Sequence, residues 1–553
     1  MDYSKLVKEK KEEQGELEAR WQADEDLLYL KKYVMTDANN KKVDDIVNVT
    51  LNRPAVFAAN AISALGSASE QGVVTSNIDG FDTKYIEDFQ KAGFASADDR
   101  LRKQGKPLLN PFADTQFFIR GRTARRVLFR IGEVTQGGKT EQALIPDIVP
   151  WDGRFVTYDI GGNGLDWAAY EMTRSKAAIE AEYEIVVTGK TGKVLDVWDT
   201  EGNYVYIDGK IGKEQAHDYG FCPVVIQIVP IGYGAMLLSE GSLKYEGESG
   251  FFLIRSVVPE INRLVSIMQT LNLKAVKPPV MQRIKGKTKA APYKDLMDSG
   301  QVAAMEPTDK IEPIKYGDAQ RSATIAYNGM SAAIDQGTIS PADLGTIERP
   351  PASGVRAIMA GEHINNLLRP RLEAKAGLNK QTAEMFTEQV IQIGGSVELG
   401  VKGHKRTFET SKLEGEYDTT YNYSFKSPSV DAGLYSLAGA AGHLIPNRAK
   451  RAEILQREDP DGDEKQLRWE EAERLSPAVK MYRGICSLKG IPPDPEMEAE
   501  YLAAELGMNV DQMLAGDISQ QPKPEKAEKP TQMVSLFGGA AGRVSPEPEE
   551  EEE

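Results

Sequence analysis

The chain has 553 residues and is 41% hydrophobic, long enough for about three or four domains and a large core, so a small cross-linked scaffold is excluded. The 50 glycines follow no three-residue period, which excludes collagen. Lys and Arg number 67 against 83 Asp and Glu, for a net charge of −16. A freely binding nucleic-acid module is usually basic, so any contact with DNA or RNA is expected through local patches or by enclosing it. Two cysteines, Cys222 and Cys486, make no disulfide framework.

The first twenty residues are highly charged and carry no apolar signal core. An apolar stripe follows at Trp21, Leu27, Leu28, Leu30 and Val34, and residues 47–65 read as a second apolar-periodic helix. A β-rich region is expected over 116–236, with strands at 126–131 and 155–158 and a hairpin over 193–207 around the turn Thr200-Glu-Gly-Asn203. A short helix over 175–183 interrupts it. The longest uncharged apolar run, 221–238, contains Pro223, Pro230, Gly232 and Gly234, so it reads as two strands at a turn and no membrane span is expected.

After Gly250 the period changes. Ile254, Val257, Ile261, Leu264, Met268 and Leu271 make a heptad-like stripe on one helix, with Pro259 in its first turn. Pro278-Pro279 ends it. An irregular module over 280–316 leads to a second helix over 319–336, then a Gly-, Pro- and Ser-rich loop over 337–354. A long helical stretch over 355–393 is expected to break at Pro370 and Gly377, before strands over 396–425 and small helices over 431–514. The end, 516–553, has five prolines, nine acidic and four basic residues with no apolar period, and is expected to be disordered.

Little in the chain points to catalysis. Gly137-Gly-Lys-Thr140 and Gly189-Lys-Thr191 end like phosphate loops, but the first glycine each needs falls at Glu133 and Glu184, so both read as hairpin turns. Asp459-Pro-Asp-Gly-Asp463 with Glu470 imitates calcium-loop spacing, yet Glu464 stands where the turn glycine belongs, and an acidic helix cap is the simpler reading. His217, His363, His404 and His443 are isolated, and no nucleophile lies beside a base. The expectation is no enzyme, no metal and no cofactor. The alternative is a nucleotide-dependent enzyme using the Gly137–Thr140 loop.

One charge feature stands out. Lys274, Lys277, Arg283, Lys285, Lys287, Lys289 and Lys294 fall in a stretch without an acid, between two helices that lead out and back. Such a tip, opposite in charge to its body, suits docking; a solvated basic loop is the plainer alternative.

The order of these pieces resembles the tailed-bacteriophage portal protein, or head–tail connector, family. Local runs carry the likeness: His217-Asp-Tyr-Gly-Phe-Cys-Pro-Val-Val225, Ser249-Gly-Phe-Phe-Leu, Pro259-Glu-Ile-Asn-Arg263, Ala275-Val-Lys-Pro-Pro279, Pro351-Ala-Ser-Gly-Val355 and Leu444-Ile-Pro-Asn-Arg-Ala449. It covers about 47–514; the charged arm is generic and the tail has no counterpart. The resemblance implies an α+β, portal-like fold with a β-rich wing, long stem helices, a small α/β clip and a helical crown. In those terms the chain divides into an arm (1–46), wing (47–250), first stem helix (251–277), clip (278–318), second stem helix (319–336), tunnel loop (337–354), long kinked wing helix (355–395), wing strands (396–430), crown (431–515) and acidic tail (516–553).

It further implies a ring of twelve copies at one capsid vertex that passes double-stranded DNA. Implied partners are terminase, head-completion, adaptor or tail proteins, and major capsid and scaffold proteins. The implied location is the virion, and the host cytoplasm during assembly. Pro341, Asp343, Glu348 and Arg349 would be the tunnel-loop residues that meet DNA. Lys277, Arg283, Lys285, Lys287, Lys289 and Lys294 would form the clip docking patch, and the heptad stripe would pack the stem. Another ring-forming virion adaptor is a further alternative. The tail carries too little apolar surface to offset the entropy of ordering, so truncation after Ala515 should leave the thermal transition unchanged; a drop of many degrees in a melting scan would show that the tail packs on the body.

Overall fold

A computed structural model describes residues 2–78, 81–136, 139–162, 164–230, 247–276, 280–283, 310–313, 319–339, 354–424, 435–442, 445–455, 460–489 and 494–505. The chain is a mixture of helix and sheet in two compact units, divided after Gly442 and so within the 431–515 segment assigned to the crown.

The first unit opens with α1 (Tyr3–Glu13) and α2 (Gly15–Leu28). Residues 46–52 are not helical, and α3 (Arg53–Ser67) begins with Pro54 in its first turn. The single helix expected over 47–65 is therefore corrected. Val47, Val49 and Leu51 alternate with period two, and Pro54 is tolerated at a helix start because its missing N–H is unused there. Next come β1 (Ser69–Thr75), α4 (Thr83–Lys103) and α5 (Leu109–Ile119), so Gln116, expected to open the β-rich region, is helical.

The strands then run β2 (Arg122–Arg126), β3 (Phe129–Gln136), β4 (Lys139–Pro146), β5 (Val149–Trp151), β6 (Val156–Gly161) and β7 (Gly164–Ser175). The one strand expected over 126–131 is split, because β2 ends at Arg126 and the Val127 N–H turns to Pro223 O at 2.9 Å. Helix α6 (Lys176–Tyr183) starts at Ser175, whose hydroxyl accepts the Ala178 N–H at 3.4 Å. Strands β8 (Thr191–Asp199), β9 (Gly202–Ile207), β10 (Lys210–Ala216) and β11 (Val224–Ile228) follow. Strands β6 to β10 form a five-stranded antiparallel meander, while β11, β2 and β5 form a separate three-stranded sheet with β2 central.

After these come α7 (Val257–Val276), β12 (Val280–Arg283), β13 (Lys310–Pro313), α8 (Ala319–Gly337), α9 (Gly354–Ile393), β14 (Ser396–Leu399), β15 (Arg406–Glu409) and β16 (Asp418–Ser424), which pairs antiparallel with β1. Helix α9 is the spine of this unit. Leu378, Ala383, Phe386 and Val390 enter one apolar cluster with Phe89, Phe129 and Phe408. Leu368 and Leu372 enter a second, with Phe118, Phe251 and Ile261.

The expected interruptions of α9 do not occur, since the helix runs through Pro370. Leu368 and Leu372, buried on either side, hold both halves against one cluster and offset the lost hydrogen bond. Gly377 is there for closeness, since an added Cβ would stand 3.2 Å from the Gln227 side chain of β11.

In the second unit, α10 (Pro460–Leu475), α11 (Pro477–Lys489) and α12 (Pro495–Glu505) follow one another. Arg483 of α11 grips both carboxylate oxygens of Glu498 at 2.6 Å and reaches Glu473 at 3.2 Å. No described helix is long and apolar enough to cross a membrane.

Candidate functional site: a helix pair joined by two short strands

The base of α7 is held by a charge cluster. Arg255 donates Nε and a terminal nitrogen to the two oxygens of buried Asp24 of α2, at 2.7 and 2.8 Å, and also reaches Glu248 at 2.8 Å. Arg20 pairs with the other oxygen of Glu248. Burial raises the Asp24 carboxyl above its ordinary value, and the two-pronged bond from Arg255 opposes that rise. Gly250 brings the chain against Phe118, where an added Cβ would lie 2.2 Å from the ring.

Along α7 the buried positions are Val258, Ile261, Asn262, Ser266 and Thr270. The last three stand four residues apart and form a polar row. Asn262 Oδ1 accepts the Leu51 N–H at 3.0 Å, Ser266 Oγ the Val49 N–H at 2.9 Å, and Thr270 Oγ1 the Val47 N–H at 3.0 Å. Each hydroxyl gives its own proton back to the helix, Ser266 to Asn262 O and Thr270 to Ser266 O, both at 2.7 Å. The intervening side chains face the other way: Thr50 Oγ1 accepts the Tyr33 N–H and Asn48 Oδ1 the Met35 N–H, each at 2.8 Å. The 47–51 segment is thereby fixed on both sides.

Helices α7 and α8 pack on each other through Val258 and Ile261 of α7 and Ile334 of α8, with Ile254 just before α7 in the same cluster and Val265, Tyr327 and Met330 at the margin. Arg53 of α3 ties down α8 through Ser331 at 2.8 Å and Asp335 at 3.5 Å. Between the two helices, β12 and β13 pair antiparallel, with Val280 opposite Pro313 and Arg283 opposite Lys310. The chain leaves along one helix, passes through this strip and returns along its partner. Large apolar side chains remain on the helix surfaces, Leu273 on α7 and Ile325 on α8, at 54% and 65% exposure.

The residues expected to act are placed as follows. Of the heptad stripe, Ile254 lies just before α7 and is buried, as is Ile261; Val257, Leu264, Met268 and Leu271 are half-buried. Arg283 is exposed at the end of β12. Lys277, Lys285, Lys287, Lys289 and Lys294 lie outside the described residues, as do Pro341, Asp343, Glu348 and Arg349. Thr140 sits within β4 and Thr191 opens β8, so neither loop-like run leads into the helix N-terminus that a phosphate loop requires. Asp461, Asp463 and Glu470 are inside α10, while Asp459 lies outside the described residues. The polar row was missed by sequence reading. Its signal is the four-residue spacing of Asn262, Ser266 and Thr270 beside the alternation of Val47, Asn48, Val49, Thr50 and Leu51.

No family model matches the chain, and no curated protein does. Among solved structures, a chain of "Neck of empty GTA particle computed with C6 symmetry" aligns at TM-score 0.40 and 12% identity, over 73% of this chain and 90% of that one. A chain of "Virion of native gene transfer agent (GTA) particle" aligns at TM-score 0.36 and 12% identity, over 73% of this chain and 89% of that one. A chain of "Neck of native GTA particle computed with C12 symmetry" aligns at TM-score 0.32 and 14% identity, over 71% of this chain and 98% of that one. At these values the likeness does not assign a fold.

The polar row makes a local claim that can be measured. Ser266→Ala leaves the Val49 N–H without its acceptor and should cost about 1–2 kcal/mol. Amide exchange at Val47, Val49 and Leu51 should accelerate together, and Ser266→Thr should restore protection. Unchanged exchange in Ser266→Ala would show that the row does not hold this segment.

Proposed function

We propose that this chain is the subunit of a portal ring, the conduit at one capsid vertex through which double-stranded DNA enters and leaves. The observation that carries the reading is the paired α7 and α8, joined through the β12–β13 strip and set on a β-rich body. In this reading the helix pair is the stem. The 278–318 segment is the clip, which docks terminase during packaging and adaptor or tail proteins afterwards. The 337–354 segment approaches the DNA. The same ring nucleates head assembly with capsid and scaffold proteins, in the host cytoplasm, and stays in the virion.

Physical chemistry is in keeping with each part. Every phosphate neutralised by a bound cation adds affinity and would arrest a sliding duplex, so a net charge of −16 suits a channel wall. Exposed Leu273 and Ile325 on the stem helices suit contacts with neighbouring copies, and head-to-tail contacts saturate when the ring closes. Nothing in this role needs catalysis, and Lys139 and Thr140 of the Gly137–Thr140 run lie in β4 and not at a helix start.

Twelve copies of the 60.8-kDa chain weigh about 730 kDa. Mass photometry of purified protein should find a species near that mass. Only monomers and dimers at micromolar concentration, at low and at high salt, would count against a ring.

A further inference from the structure

A polar cleft of about 520 Å³ lies in the β-rich body, away from the helix pair. The end of α4, the β2–β3 edge and strands β8 to β10 line it. At its floor Asp147, 8% exposed, serves three guanidinium groups at once. Arg100 reaches one of its oxygens at 3.3 Å, and Arg126 and Arg130 share the other at 3.1 Å each. Arg126 also reaches Asp196 at 3.3 Å, whose other oxygen accepts from Asn203 at 2.7 Å.

Two more cations, Lys106 and Lys213, line the same cleft, and neither has an ion-pair partner among the described residues. Glu182 is also in the lining, but Arg174 holds it at 2.5 Å. Among the described lining residues, five cations therefore face two available carboxylates, Asp147 and Asp196. Burial holds the Lys106 ammonium below its ordinary value against the pull of Asp147, and the nearby Arg126 and Arg100 add to that depression. Arg100 and Arg126 are part-buried while Arg130, Lys106 and Lys213 are exposed, so the cleft presents an excess of positive charge to solvent around one buried carboxylate, which attracts anions.

Arg126 is also held in place by stacking. The Arg126 guanidinium lies over the Trp198 ring at 5.7 Å. Trp198 stacks on His217, which stacks on Tyr219, with centroids 5.8 and 4.7 Å apart. His217 is fixed by its bond from Nε2 to Asp199 O at 3.1 Å. The Nε of Arg126 and Nε1 of Trp198 are buried donors without acceptors. Three guanidinium groups gathered around one point suit an oxyanion that offers oxygens in several directions. A carboxylate offers two in one plane, and Asp147 already fills that role.

We infer that this cleft binds a phosphate-class oxyanion, with Arg100, Arg126 and Arg130 at its base and Lys106 and Lys213 at its rim. The group can arrive as a free ion, on a nucleotide or at the end of a nucleic acid; all three present the same oxygens. The inference does not depend on ring formation.

Titration calorimetry on the full chain, in chloride at constant ionic strength, tests it with pyrophosphate, ADP and a short 5′-phosphorylated DNA duplex. Saturable binding of at least one is expected. Equal affinity for pyrophosphate and ADP identifies the free ion as sufficient, tighter ADP identifies a nucleotide, and tighter DNA identifies a strand end. The double variant Lys106→Gln, Arg130→Gln should bind roughly a hundredfold more weakly, about tenfold for each charge-assisted bond lost, with an unchanged thermal transition in the absence of ligand. Lys213→Gln should weaken binding roughly tenfold by itself. No saturable binding of any of the three would overturn the inference. So would undiminished binding by correctly folded variants, or a hexaglutamate peptide that binds more tightly than pyrophosphate.

Discussion

A backbone segment laid across a helix must find acceptors for its N–H groups, because the helix backbone has none to spare. Residues 47–51 meet that need with the side chains of Asn262, Ser266 and Thr270. The match is geometric. Two residues of extended chain advance about 6.6 Å, and four residues of α-helix advance about 6 Å. Alternate N–H groups can therefore meet every fourth helical side chain over a short run. A slip of one residue would forfeit all three bonds and also displace Asn48 and Thr50 from Met35 and Tyr33. The row thus sets the register of α7 against the start of the chain, while Asp24 and Glu248 hold its base through Arg255. With α7 fixed, α8 packs on it and the connection between them has two defined ends.

Deeper in the first unit, polar groups are buried in pairs for the same reason. Lys375 of α9 meets Asp114 of α5 at 2.8 Å, both nearly inaccessible. Arg125 of β2, fully enclosed, donates to Asn379 at 2.6 Å and to Asn110 at 3.1 Å. Burial without a hydrogen-bonded carboxylate lowers the Arg125 guanidinium to about 10. These bonds sit where α9 crosses α5 and β2. They fix the azimuth of the long helix more narrowly than Leu378, Phe386 and Val390 alone would, because apolar contact has no direction.

Much of the helix pair was legible in the sequence. Pro259 and Pro278-Pro279 mark the limits of α7, and Gly337 closes α8. The β8–β9 hairpin was announced by the turn Thr200-Glu-Gly-Asn203 between apolar alternations, and the short helix expected over 175–183 is α6. What failed had physical causes. The 47–65 stretch mixes two periods, alternation over 47–51 and helical spacing from Pro54 onward, and the expectation of one helix ran across both. Pro370 and Gly377 were read as breakers, though neighbouring leucines hold the first and close approach to Gln227 explains the second. The polar row of Asn262, Ser266 and Thr270 has no local signature strong enough to announce it, since its acceptor role depends on a partner more than two hundred positions away. The cationic cleft was invisible for a related reason: Arg100, Arg126, Arg130 and Asp147 come from separate elements that meet only in the fold.

The account rests on α7 and α8 lying side by side in each of many copies, arranged around an axis. Electron-microscope class averages of the purified protein, viewed end-on, address that arrangement directly. The account predicts closed rings with an axial opening wide enough for duplex DNA, bordered by repeating rod-like density from the helix pairs. Isolated single subunits, or closed assemblies with a filled centre, would contradict it.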